Sequence, residues 1–434
     1  MKVLHISTAD ANGGAARGAY SMHKALRQSG IDSWMLVAEK YTTDPTVIGP
    51  TGITGSEKIF RGLRQTVEYW PLKRYKNKPS GAFSPAIYPS KIVAQVEAID
   101  PDIINLHWVA GGMLRPADIP KLAGKRRRPI VWTLRDMWPF TGGCHYAGEC
   151  QAYQTVCGQC PALGSTKARD LAYQGWRNKQ SALRNISLTN ISLTIVPLSH
   201  WLADCARQSS LFAHQSIQVI PNAVDTAVYR PIDQAIARDL LNLPKAKKLI
   251  LFGALSPTAD RRKGFRYLRE ALHQLASHPN HAHFEVVIFG ADKPTKDPDM
   301  GLPATFLGRL HDDTTLALAY AAADVMVMPS IQDNFAKTTI EAMACGTPVV
   351  GFNSTGFKDC VVHKHNGYAA TSFDAADLAK GIAWVLSEGV GDAAVDCNRQ
   401  ERLSQNARQT VEAKFSVTHQ AKQYKRLYQQ LITA

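Results

Sequence analysis

Short apolar, β-branched runs alternate along the chain with stretches in which apolar residues recur every three or four positions. Runs of strand length lie at 3–7, 33–38, 103–108, 130–134, 193–198 and 217–220, and a second series follows at 249–253, 285–290, 304–307, 325–328 and 348–352. Residues 15–28, 91–98, 264–277, 313–323 and 374–387 carry the helical spacing between them. This alternation predicts parallel sheets covered by helices. The rhythm runs twice, and the breaker chemistry of Pro221-Asn222-Ala223-Val224-Asp225 and Tyr229-Arg230-Pro231 falls between the two series. The expected fold class is α/β, with two doubly wound parallel-sheet domains, Rossmann-like, facing each other across a cleft. We expect the first domain at 1–228, the second at 229–415 and a C-terminal helix at 416–434, within a tail, 401–434, that is helical in pattern and polar on most faces. In such sheets ligands bind outside the carboxyl ends of the strands.

Residues 56–78 break the rhythm. Ser56 is placed to cap a helix with Ile59, Phe60, Leu63 and Val67 on one face, beside Lys58, Arg61 and Arg64. Tyr69-Trp70 and Lys73-Arg74-Tyr75-Lys76 follow, and the segment holds seven basic residues against two acidic ones. Two readings stay open. One is an interfacial helix that touches a membrane; the other is a core-facing helix with a solvated basic side.

At 434 residues, 45% apolar and 20% charged, the chain has ample material for two cores, and whole-chain disorder is excluded. No apolar run reaches the roughly 20 residues that span a bilayer. The expectation is a cytoplasmic protein. The net charge of +14 is uneven: residues 1–228 carry 26 Lys and Arg against 15 Asp and Glu, whereas residues 229–434 carry 24 against 21. An anionic partner is therefore expected for the first half: a membrane surface, a phosphorylated substrate or nucleic acid.

The densest candidate chemistry runs from Pro329 to Val350. A strand ends in a polar loop, and a helix opens near Ala336 and closes at Cys345-Gly346. A helix N-terminus offers free N–H groups and a positive dipole end to a diphosphate. Asp333, before the helix, and Glu341, more than one turn inside it, are placed to hold two hydroxyl sets of one ligand. The alternative has Asp333 as a cap and Glu341 in a surface ion pair. Gly13 and Gly14, in Asn12-Gly13-Gly14-Ala15-Ala16-Arg17, let backbone approach a ligand after the first strand. Glu39, after the second strand, is a weak candidate for the ribose of NAD. His107 ends a strand, where ligand-facing residues are expected; the alternative is a buried histidine bonded to backbone.

Cys144, Cys150, Cys157 and Cys160 cluster within 17 residues, beside His145, while Cys205, Cys345, Cys360 and Cys397 are scattered. The Cys-x2-Cys half and the count of four suit a structural zinc, although the first pair has a long spacer. An iron–sulfur cluster or plain thiols are the alternatives. Asp100-Pro101-Asp102 and Asp297-Pro298-Asp299 read as turns rather than as metal ligands.

The pattern from Pro329 to Val350, with Glu341-Ala342-Met343-Ala344 and Pro348-Val349-Val350, resembles glycosyltransferase family 4, which has the two-domain GT-B fold. Gly13-Gly14-Ala15-Ala16, Asn105-Leu106-His107-Trp108, residues 133–140, residues 221–225 and Arg262-Lys263-Gly264 fall in that family's order, so the resemblance covers nearly the whole chain. The cysteine-bearing stretch resembles the branch that builds colanic acid, capsule and O-antigen. The resemblance implies retaining, metal-independent transfer of a hexose from a UDP- or GDP-sugar. It puts Glu341 on the ribose, Asp333 on the sugar hydroxyls, and the amides of Asn334 and Phe335 on the sugar or phosphates. Gly13 and Gly14 complete the donor-binding set. Arg262 and Lys263 neutralise the leaving diphosphate, and His107, Arg135 and Asp136 complete the catalytic set. The C-terminal helix is expected to return to the first domain.

This chain departs from the family pattern at three positions. Asp333 replaces the usual Glu, Ala254 follows Gly253 where many members have Arg, and Arg135 stands where relatives often have His. An Arg stays protonated and cannot act as a base. The expected acceptor is a lipid-diphosphate-linked oligosaccharide at the inner membrane face. No cofactor is expected for catalysis, and no nucleic-acid module is recognisable. A catalytically silent, nucleotide-sugar-binding scaffold is the alternative, and a sucrose- or trehalose-synthase type is the nearest enzymatic rival.

Overall fold

The computed structural model describes residues 1–50, 55–75, 82–89, 91–253, 260–290, 299–386 and 398–433, without the side chain of Ser56. The Ser56 cap, Lys76, Ala254, Asp297-Pro298 and Cys397 therefore lie outside the described residues, as does the end of the helix expected to reach 387. The chain divides into two compact units, Met1–Pro221 with Gln420–Ala434, and Asn222–His419.

In the first unit, strands β1 (Lys2–Ala9), β2 (Asp32–Glu39), β3 (Val47–Ile48), β4 (Ile103–Leu106), β5 (Ile130–Leu134), β6 (Leu193–Pro197) and β7 (Ser216–Ile217) form one sheet. Their order is β3-β2-β1-β4-β5-β6-β7, and every ladder is parallel. Helices α1 (Gly14–Gln28), α2 (Gly55–Tyr69), α3 (Ile92–Ile99), α4 (Ile119–Leu122), α5 (Leu171–Leu188) and α6 (His200–Gln208) connect them. Strands β4, β5 and β6 are buried along their whole length, as expected of strands covered on both faces. Helix α5 starts where Asp170 caps it, accepting from the Tyr173 N–H at 3.0 Å, while its other oxygen takes the Cys160 N–H at 2.8 Å. The chain reverses its winding direction between β1 and β4, so their carboxyl ends form the switch point where a doubly wound sheet takes ligands.

The second unit repeats the plan with α7 (Gln234–Leu240), β8 (Lys248–Gly253), α8 (Phe265–Leu275), β9 (Phe284–Phe289), β10 (Ala304–Gly308), α9 (Asp313–Ala322), β11 (Val325–Met328), α10 (Lys337–Ala344), β12 (Val349–Phe352), β13 (Gly367–Ala370), α11 (Ala375–Val385) and α12 (Arg399–Lys414). Its sheet is parallel in the order β10-β9-β8-β11-β12-β13, with the switch point between β8 and β11.

The last helix, α13 (Val417–Thr433), supplies the C-terminal part of the first unit. Its Tyr424 and Tyr428 are fully buried. Tyr428 Oη accepts from Asn105 Nδ2 at 2.6 Å, and Tyr424 Oη lies 2.9 Å from Thr133 Oγ1. Polar residues of β4 and β5 thus fix the helix.

Two strands escaped the sequence reading. β3 is only two residues long, and β13 reads Gly-Tyr-Ala-Ala, without a β-branched residue. The expected strand at 103–108 ends at Leu106, although the His107 N–H still donates to the Ile6 carbonyl at 2.9 Å.

Candidate functional site

In the second unit, the turn before α8 meets the loop after β11 at the switch point. Gly264 makes this approach possible: its φ is +70°, and a Cβ there would stand 1.8 Å from the Pro329 carbonyl oxygen. The Ile331 N–H donates to the Arg262 carbonyl at 2.7 Å across the same junction. Lys263 is thereby aimed at the loop, and its ammonium lies 2.6 Å from the Asp333 carboxylate. Arg262 turns back to Asp260 at 2.7 Å.

Asp333 does not cap α10. Ala336 occupies the cap position in an extended conformation and makes no side-chain cap bond. A helix start of this kind can present N–H groups to a ligand or solvent. The side chains of Asn334 and Phe335 are buried, the latter against Phe415 with ring centroids 5.5 Å apart. Glu341 is buried too. It accepts from Tyr320 Oη at 3.0 Å and pairs with Lys337 at 3.3 Å. Burial, reinforced by the Glu341 charge, holds the Tyr320 phenol well above its ordinary pKa, so it remains a donor. The surface ion pair considered for Glu341 is thus a buried one.

In the first unit, the end of β4 carries a chain of three buried side chains. Arg135 Nη2 lies 3.1 Å from His107 Nδ1, and His107 Nε2 lies 3.0 Å from His5 Nδ1. A guanidinium only donates, so His107 must accept at Nδ1 and carry its proton at Nε2, which then donates to His5. Burial holds both imidazoles well below the usual histidine range, and Arg135 down to about 10. Arg135 thus stays charged at neutral pH beside two neutral rings.

Asp136 is the hub of a second network. It accepts from His145 Nδ1 at 2.6 Å, Trp108 Nε1 at 2.8 Å and the Trp138 N–H at 2.9 Å. His145 Nε2 lies 2.9 Å from Ser84 Oγ. Asp136 therefore holds three groups in place within a closed network. At the end of β1, Gly13 has φ +87° and caps α1 without a side-chain bond, and open space stands above both Gly13 and Gly14. Glu39, the weak dinucleotide candidate, is engaged by Arg61, Arg64 and the Tyr41 hydroxyl.

Cys144, Cys150, Cys157 and Cys160 are free thiols and line one cavity of about 20 Å³ together with Thr141, Tyr153 and Ala172. Burial pushes Cys144 and Cys160 up to about 12 and Cys157 to about 11. Buried Lys179 donates to the carbonyls of Trp138 and Thr141 and lies 3.9 Å over the Trp138 ring. Among the described residues, no three His, Cys, Asp or Glu side chains are already drawn together as metal ligands. Asp100 and Asp102 serve a turn: Asp100 ends α3 at φ +51° and pairs with Arg126 and Arg128, and Asp102 accepts the Lys2 N–H.

Sequence reasoning missed His5, Ser84, Lys179 and Tyr320. His5 left a trace, a polar residue inside the apolar run 3–6, directly opposite Asn105 in the ladder. Ser84, Lys179 and Tyr320 left none, because their partners are far away in sequence.

Two parallel-sheet units, each with a switch point in its strand order, define the GT-B class of fold. Residues 12–228, half of the chain, match the family described as Glycosyltransferase Family 4, and residues 246–388 match Glycosyl transferases group 1. The chain belongs to glycosyltransferase family 4. It is 30% identical over 187 residues to the D-inositol 3-phosphate glycosyltransferase of Acidothermus cellulolyticus, a match covering 40% of this chain and 41% of that relative. The chain thus spans about two fifths of that relative's length. A longer match, 22% identical, covers 95% of this chain and 98% of the putative colanic acid biosynthesis glycosyl transferase WcaC of Escherichia coli K12. The structure of Anabaena Alr3699/HepE in complex with UDP superposes with a TM-score of 0.63 at 18% identity, covering 99% of this chain and all of that one.

Proposed function

We propose that the chain is a retaining hexosyltransferase. It takes a sugar from a UDP- or GDP-sugar and passes it to a lipid-diphosphate-linked oligosaccharide of a bacterial surface polysaccharide. The observation that carries this reading is the grouping of Lys263, Asp333, Glu341 and the uncapped start of α10 around one switch point. Departure of the diphosphate builds negative charge on a phosphate oxygen. A fixed ammonium and oriented N–H groups stabilise that charge where it develops. Glu341, already accepting from Tyr320 and Lys337, would accept from ribose hydroxyls through its remaining lone pairs. The UDP and UDP-glucose complexes of Anabaena HepE support a nucleotide donor, and the likeness to WcaC supports a surface-polysaccharide acceptor.

The acceptor would be reached at the inner face of the plasma membrane. Among the described residues no helix is long and apolar enough to cross a membrane, so the contact would be peripheral. Transfer would need no metal; a structural zinc is proposed separately for the four clustered thiols.

The test is the melting temperature of the purified chain with UDP, GDP and ADP, repeated with Glu341→Ala. A ligand present at about 100 times its Kd stabilises the native state by about 2.7 kcal/mol. One nucleotide should raise the midpoint, and Glu341→Ala should abolish the rise. No shift with any nucleotide at millimolar concentration would overturn the donor-site reading. Binding without turnover would identify a silent scaffold.

A further inference from the structure

Helix α2 is amphipathic with its faces exchanged. The side chains that hold it to its unit are charged. Arg64 is buried and pairs with Glu39. Glu68 is fully buried and accepts the N–H groups of Ala86, Ile87 and Tyr88 at 2.6, 3.0 and 3.1 Å. The large apolar side chains point the other way: Ile59 is 71% exposed, Phe60 65%, Leu63 52% and Trp70, in the turn that follows, 53%. At helical spacing they form one exposed stripe whose Phe60 edge borders the buried Arg64. Single exposed apolar residues are ordinary, but four large ones on one face mark an interaction surface.

Cations border this stripe. Lys58, Lys73 and Arg74 are exposed, and Arg74 lies 5.1 Å over the Trp70 ring. Arg61 is half-exposed beside Glu39. An apolar stripe with an indole and a basic fringe matches the boundary between acyl chains and anionic headgroups. A second copy of the chain fits it less well. A two-fold contact would bring the same basic fringes together, in a molecule of net charge +14.

The position of α2 adds a consequence. Glu39 closes β2, and Arg64 and Tyr69 lie against Gly112 and Gly111, just after β4. The helix therefore stands at the carboxyl ends of the strands, on the edge where Gly13 and His107 lie.

We propose that α2 and its following turn dock the chain on an anionic bilayer through Ile59, Phe60, Leu63 and Trp70, with Lys58, Lys73 and Arg74 meeting the headgroups. This deepens the preceding reading and rests on it only for the acceptor. A lipid-linked acceptor would arrive at the same edge of the first unit.

The experiment is flotation of the full chain with phosphatidylethanolamine–phosphatidylglycerol vesicles and with phosphatidylcholine vesicles, without donor or acceptor. The wild type should float with the anionic vesicles, more weakly in high salt, and remain unbound with the neutral ones. Ile59→Ser/Phe60→Ser/Leu63→Ser should lower the bound fraction about tenfold or more. Its melting midpoint and any nucleotide-induced shift should stay as in the wild type. Lys58→Glu/Lys73→Glu should weaken anionic binding alone. Failure of the wild type to float, or equal flotation of the triple variant, would overturn the proposal. So would a wild-type dimer that the triple variant dissociates, which would make a second copy the occupant. Loss of the nucleotide shift with flotation intact would instead remove the donor-site reading and leave this one standing.

Discussion

Lys263 Nζ stands 2.6 Å from Asp333 Oδ2 across the junction that Gly264 makes possible, beside the uncapped start of α10. The carboxylate holds the cation beside the helix start that the proposed function gives to the diphosphate. A diphosphate arriving there would compete with Asp333 for Lys263. The two residues should therefore respond differently to substitution. Lys263→Met should lower kcat about 100- to 1,000-fold, because the lost charge acts most strongly on the departing diphosphate. Asp333→Asn should keep the shape, remove the competing charge and bind nucleotide several-fold more tightly, by about 1 kcal/mol, while kcat falls. Calorimetric titration with the responsive nucleotide, beside steady-state rates, separates the two. Equal losses of affinity in both variants would show that the pair only supports the loop.

The imidazoles of the first unit predict a dependence on pH. His5, His107 and His23 are buried, the last between Ser33 and Thr46. Burial holds all three below the ordinary histidine value, His23 at about 4. In the unfolded chain each titrates near 6.5. Below about pH 6.5 the unfolded state therefore binds more protons at these rings than the native state, so their contribution to stability falls as pH falls and is flat above that range. Each group contributes a slope of about 1.4 kcal/mol per pH unit, ending for His23 near pH 4. Denaturant unfolding between pH 7.5 and about 5 measures this, and His23→Gln should reduce the slope by roughly a third. An unchanged slope would place the acid sensitivity elsewhere.

Local signals made the two sheets and the α10 loop legible from sequence. β-branched runs mark strands, and residues 329–350 keep strand, loop and helix contiguous, so the chain order alone places Asp333 and Glu341 relative to a helix end. The first unit was harder to read. His5 lies in β1, His107 just after β4 and Arg135 just after β5, and only the order β2-β1-β4-β5 puts them in one line. Helix α2 was ambiguous because amphipathicity alone does not say which face is inward. The usual rule buries the apolar side, but here Glu68 is fixed by three N–H groups of residues 86–88, a contact absent from any local pattern.

The C-terminal helix gives a stability prediction for the first unit. Thr133 Oγ1 donates to Asn105 Oδ1 at 3.0 Å, so Tyr424 must donate to Thr133, while Tyr428 accepts from Asn105. Tyr428→Phe keeps the ring but leaves the Asn105 amide buried without that acceptor, which should cost about 1–3 kcal/mol. Tyr428→Phe combined with Asn105→Leu, which removes both polar partners, should recover part of the loss. Thermal unfolding of the single and double variants measures the recovery. Without any recovery, the packing of α13 rather than this hydrogen bond would set the stability.

The four clustered thiols provide the last test. Cys144, Cys150, Cys157 and Cys160 share one cavity, and burial keeps at least three of them protonated at neutral pH. Burial lowers Lys179 to about 7, against the pull of Cys157, Cys144 and Asp136, and its amine donates to two carbonyls and lies over the Trp138 ring. A zinc ion would draw the sulfurs inward and ionise them, and the resulting double negative charge would be balanced in part by Lys179. Protein purified without chelator should then carry about one zinc per chain. Cys157→Ser or Cys160→Ser should lose it, and a strong chelator should lower the wild-type midpoint but not that of the variants. Lys179→Met should keep the four thiols yet release zinc to a chelator faster than the wild type does. The opposite result is equally definite. Metal-free protein whose midpoint ignores the chelator, and whose four thiols react only after denaturation, would make this a packed thiol core that shapes the loop between Asp136 and α5.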